Sequence, residues 1–102
     1  MKKIINGKKY DTETAKLLAS AYSSLSPADM GYWSEELYVK NTGEYFLHCE
    51  GGPNSNYGVR SGTNSWGWGE KIIPYTEGEA MAWAEDRLDG DEFEEIFGDV
   101  EE

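Results

Sequence analysis

The segment TEGEAMAWAEDRLDGDEFEEIFGDVEE, from Thr76 to Glu102, constrains this chain more than any other. Ala80, Trp83, Ala84 and Leu88 fall at i, i+3, i+4 and i+8, one apolar stripe of an α-helix. Phe93, Ile96, Phe97 and Val100 form a second stripe at i, i+3, i+4 and i+7. Thr76 with Glu79 reads as a capping box, the hydroxyl and the carboxylate each satisfying a free backbone N–H, and Asp91 with Glu94 as a second cap. Asp89-Gly90 separates the two runs. Two amphipathic helices are predicted, each packing inward with its carboxylates outward.

The same segment sets the electrostatics. It holds twelve of the chain's twenty acidic residues and one base, Arg87, so its charge of −11 equals that of the whole protein. Residues 1–75 carry eight acids and eight bases and are neutral. The simplest reading of such a run is a solvated helix face. Self-repulsion on this scale is nevertheless a cost that scattered lysines would relieve, so a surface that keeps it suits a basic partner. Phosphate mimicry is the specific version, in which a row of carboxylates enters a site built for a nucleic-acid backbone. Acidic membrane surfaces and nucleic acid itself would be repelled.

The neutral body reads as β-structure. In KIINGKKYDT, Asn6-Gly7 is the strongest kind of hairpin signal and predicts strands at residues 2–5 and 8–12. ELYVK-NTG-EYFLHCE is a second hairpin, with Asn41-Thr42-Gly43 fitting a type I turn followed by a left-handed glycine. Between them, TAKLLASAYS is ambiguous: Ala15, Leu18, Ala19 and Tyr22 fit a helix, while Leu17, Ala19 and Ala21 alternate as in a strand. SSLSPADMGYWS is a connector in which Ser26 to Asp29 could start a helical turn, with Met30, Tyr32 and Trp33 tucked against the body. KIIPYT is a last strand, and Pro74 places it at a sheet edge.

The glycine-rich stretch 51–69 has no phosphate-binding motif. Its Tyr57, Arg60, Trp66 and Trp68 could stack on a sugar ring or a base, or anchor a peptide; alternatively the tryptophans are core and the glycines mobile. His48-Cys49-Glu50 is too sparse for a zinc site in a chain with one His and one Cys, and adjacent strand residues point to opposite faces. Asp89-Gly90-Asp91-Glu92 lacks the spacing of a calcium loop. No catalytic set emerges, so the reading is a non-enzyme without metal or cofactor.

With 102 residues there is room for one domain and one modest core, rich in rings because aromatics make up 14%. The lone Cys49, the lack of a signal-peptide pattern and the absence of a membrane-length apolar run fit a reducing cytoplasm. An edge strand near Pro74, or exposed rings, could pair two copies as a homodimer.

Taken together, KIINGKKYDTETA, ELYVKNTGEYFLHCEGGP, GEKIIPYTEGEAMAWAE and LDGDEFEEIFGDV resemble a family of small proteins carried by phages and conjugative elements of Gram-positive bacteria. The resemblance covers most of the chain apart from about residues 20–33 and the middle of the 54–66 loop. Some small proteins of this kind are anti-CRISPR inhibitors of the type II-A Cas nuclease. The resemblance implies no catalytic or metal residues. It turns TAKLLASAYS towards a strand, giving an α+β fold: an antiparallel sheet of four or five strands followed by two acidic helices. Cys49 stands where a small residue such as glycine is expected. On this reading the partner is a type II CRISPR effector nuclease, held through Glu85, Asp86, Glu92, Glu94, Glu95 and Asp99. A glycan- or peptide-binding module built on Tyr57, Arg60, Trp66 and Trp68 is the alternative.

Overall fold

The computed structural model describes residues 1–63 and 65–102. Every strand precedes Thr76 and both helices follow it, the α+β arrangement expected. Asn6 and Gly7 have φ of 52° and 78°, the positive pair that a type I′ turn requires, and they fold β1 (Lys2–Ile5) onto β2 (Lys8–Asp11).

The ambiguous segment is a strand, β3 (Lys16–Tyr22), antiparallel to β4 (Trp33–Val39). Its register passes from Leu17 opposite Tyr38 to Ala19 opposite Leu37, so Leu18 is the extra residue of a bulge. That bulge accounts for the mixed periodicity. Leu18, Ala19 and Ala21 all pack on the helix-side core, while Leu17 is left exposed. In the connector, Ser26 to Asp29 is a hydrogen-bonded turn (Asp29 N to Ser26 O, 2.8 Å) instead of a helix start, and Met30 is exposed instead of tucked in.

The second hairpin is as read. β4 meets β5 (Tyr45–Gly51) across a turn closed by Lys40 N to Glu44 O at 2.8 Å and Gly43 N to Lys40 O at 2.9 Å, with Gly43 at φ 89°. β6 (Val59–Arg60) and β7 (Trp66–Gly67) make a small separate ribbon. β8 (Gly69–Tyr75) pairs with β5, giving a sheet ordered β3-β4-β5-β8 in which the Pro74 strand lies at an edge.

Helix α1 (Glu77–Arg87) opens on the predicted capping box: Glu79 N donates to Thr76 Oγ1 at 3.1 Å and Thr76 N to Glu79 Oε1 at 2.9 Å. Helix α2 (Gly90–Phe97) starts earlier than its sequence suggested. Its capping box is Asp89 with Glu92, at 2.9 and 3.3 Å, instead of Asp91 with Glu94. The link between the helices is that short because Leu88 and Asp89 are both extended, which frees the Asp89 carboxylate to cap at once. Gly98 ends α2 at φ 91°, so Val100 lies beyond the helix and is exposed instead of completing the stripe.

Both faces of the sheet are covered. Leu37, Leu47 and Cys49 pack under Ala80, Trp83, Ala84 and Phe93 of the helices. On the opposite face, Tyr10 of the first hairpin meets Phe46 edge-on at 5.6 Å, and Phe46 stacks on Tyr38 at 5.2 Å. Lys8 fastens that hairpin to the β4–β5 turn through Glu44 at 2.8 Å, a hydrogen bond that holds the Glu44 carboxyl down to about 2. No helix among the described residues is long and apolar enough to cross a membrane.

Candidate functional site

The acidic end is held in place by a buried carboxylate. In β4 the alternation Glu35, Leu37, Val39 points Glu35 to the helix side, where it is 4% exposed. An anion there must be paired and hydrogen-bonded. Three donors converge on it: Trp83 Nε1 at 2.9 Å, Arg87 Nε at 3.0 Å and the Tyr57 hydroxyl. Arg87 also lies 4.9 Å from the Trp33 ring. Burial and then the bond to Glu35 push the Tyr57 hydroxyl far up, so it stays a donor. This hub joins the sheet, the glycine-rich stretch and α1.

The hub has an electrostatic consequence. Arg87, the one base among twelve acids, is turned in towards Glu35 and reaches one neighbour, Asp86, at 3.3 Å. Among the described residues no other carboxylate of α1 or α2 takes part in an ion pair.

The six acids picked out from sequence do not form one row. Glu85 and Glu94 border a groove of about 380 Å³ between the helices, with Leu88, Phe93 and Val100. Glu92 and Glu95 border another, of about 360 Å³, between α2 and β3. Asp86 and Asp99 are exposed. Two of the six already have structural duties: Glu92 caps α2, and half-buried Glu94 accepts from Val100 N at 3.0 Å. Glu85, Glu95 and Asp99 have no such duty and are the freest charges.

The alternative loop set is divided, with Arg60 directly opposite Trp66 in the β6–β7 ribbon and Tyr57 turned elsewhere. Tyr57 belongs to the Glu35 hub, and Arg60 bonds the carbonyls of Gly62 at 3.2 Å and Thr63 at 2.7 Å. Trp66 and Trp68 are 56% and 50% exposed, so neither is a core residue. The glycines of residues 51–58 serve close packing: a Cβ at Gly52 would strike the Met30 carbonyl, and one at Gly58 would lie 2.6 Å from the Pro53 carbonyl oxygen. Asn64, within the same stretch, lies outside the described residues.

Two features escaped the sequence reading. The first is the Glu35 hub, whose signals were a glutamate in the inward register of an apolar strand and a solitary arginine among acids. The second is on the opposite sheet face, where His48 Nδ1 lies 2.8 Å from Glu36 and Nε2 2.7 Å from Glu70. A neutral imidazole has one N–H, and only the imidazolium can donate to both carboxylates. Burial pulls the His48 pKa down, but the two carboxylates outweigh it and the net shift is upward. Cys49, on the other face, is fully buried, and burial pushes its thiol up to about 11. Among the described residues no group of three or more His, Cys, Asp or Glu side chains could hold a metal ion.

Comparison with protein-family models, with curated proteins and with solved structures found no match.

Proposed function

We propose that this protein is an anti-CRISPR-type inhibitor that binds a type II Cas effector nuclease through its acidic helical face and interferes with guide RNA or target DNA engagement. The observation that carries the reading is the arrangement of charge around Arg87. With that one base drawn towards Glu35, the carboxylates of α1 and α2 face outward on helices fixed by caps and by a buried core. Effectors of this kind hold guide and target in positively charged channels. An acidic surface that is already ordered enters such a channel without the added cost of ordering its backbone, and its field raises the association rate. The family resemblance of the sequence supplies the identity of the partner.

The test is effector binding by a Glu85→Gln, Glu95→Gln, Asp99→Asn variant, which neutralises the three freest charges and leaves both capping boxes intact. At low salt the dissociation constant should rise about tenfold or more, each screened contact being worth roughly 0.5–1 kcal/mol. An unchanged constant sinks the acidic-face mechanism. The exposure of Trp66 and Trp68 favours one other reading, a glycan- or peptide-binding module. The same assay separates the two. A Trp66→Ala, Trp68→Ala variant that folds normally keeps effector binding on the first reading, and loses its ligand on the second.

A further inference from the structure

The sheet has two edges, and they are not equivalent. β8 contains Pro74, which has no N–H to offer an incoming strand, whereas β3 has no proline. In the β3–β4 ladder, Ser23 N donates to Trp33 O at 3.0 Å. Antiparallel pairs alternate, so the N–H and C=O groups of Ser20 and Tyr22 point away from β4, towards the free edge. Both residues are exposed, Tyr22 to 70%. The α2–β3 groove lies at the other end of the strand, along Lys16 to Ala19, where Lys16 stands among Glu92, Glu95 and Ile96 of α2. On the other sheet face a second groove, of about 270 Å³, sets Glu36 and Glu50 beside Ser20 and Tyr22.

An unpaired edge with Glu36 and Glu50 on its outer face specifies its occupant by charge. A second copy of this chain paired there would bring like charges together, Glu36 and Glu50 against their own counterparts. We infer that the β3 edge accepts an extended, basic segment of the protein partner as an added strand, its alternate lysines or arginines reaching Glu36 and Glu50 on the outer face and the residues between them turning to the helix side. This rests on the proposed binding of a basic partner and adds the mode of attachment: main-chain pairing for affinity, an acidic outer face for selection. The bulge at Leu18 sets the end of the usable edge, since it breaks the alternation there.

The full-length protein is titrated at low salt with a heptapeptide alternating valine and lysine, and with a valine–glutamate control, while amide exchange is followed residue by residue. The lysine peptide should slow exchange at Ser20 and Tyr22 by about tenfold or more, and the control should not. Ser20→Pro removes one outward donor without touching the β4 ladder and should weaken the peptide about tenfold. If that variant loses its fold, Glu50→Lys, which leaves the edge intact, should show the same weakening. Peptide binding with unchanged exchange at Ser20 and Tyr22 overturns the inference, as does protection of these amides that grows with protein concentration in the absence of peptide. Effector binding distinguishes the two levels of the account. If wild type binds the effector and folded Ser20→Pro binds equally well, strand addition is wrong and the acidic-face reading stands. If wild type does not bind the effector, that reading itself fails.

Discussion

Glu35 decides more of this molecule than any other residue. It converts three donors from separate segments into one junction, and removing it strands the Trp83 indole N–H in the core while leaving Arg87 to water. Glu35→Ala should therefore cost about 2–4 kcal/mol in urea unfolding, less than a fully dry ion pair because Arg87 is partly exposed. His48 carries a pH dependence of definite sign. Its folded pKa is raised above the ordinary 6.5, so its contribution to stability is fully present below pH 6.5 and is lost as pH rises through the folded value. The stability difference between wild type and His48→Gln should shrink over that window. A difference that grows with pH would mean the imidazole is held neutral. Neither site was visible as a motif, because each is assembled from separate elements: Glu35 of β4 with Arg87 of α1, and His48 of β5 with Glu36 of β4 and Glu70 of β8.

Elements were far more legible than these junctions. Hairpin turns and helix caps are local chemistry, so Asn6-Gly7, Asn41-Thr42-Gly43 and Thr76 with Glu79 could be placed from neighbouring residues alone. The errors arose where two local signals competed. Asp91 with Glu94 satisfies the capping spacing as well as Asp89 with Glu92, and the choice depends on where α1 ends. Asp89→Ala should cost about 1 kcal/mol, and Asp91→Ala less than about 0.5 kcal/mol, in thermal or urea unfolding. Equal costs would return the cap to Asp91. TAKLLASAYS stayed open because a bulge at Leu18 shifts the alternation by one residue and imitates a helical period. In the glycine-rich stretch, the close approach of Gly52 and Gly58 to backbone carbonyls is a tertiary fact that composition does not carry.

At the scale of the whole molecule, the division between a neutral body and an acidic end is real in sequence and altered by folding. The body is not electrostatically bland: its lysines cluster on and beside the β1–β2 hairpin, while Glu36, Glu50 and Glu70 gather on the far part of the outer sheet face. Together with the carboxylates of α1 and α2, those acids extend the negative surface around the β3 edge. The central claim is that this ordered surface competes for a basic channel. The most direct measurement is capture of the type II effector by the immobilised protein, with and without guide RNA, from about 50 to about 500 mM salt, a range over which the screening length falls severalfold. The account predicts strong capture of the guide-free effector that weakens steadily with salt, and loss of capture once guide occupies the channel. Capture indifferent to salt and guide, or none in either state, would contradict it.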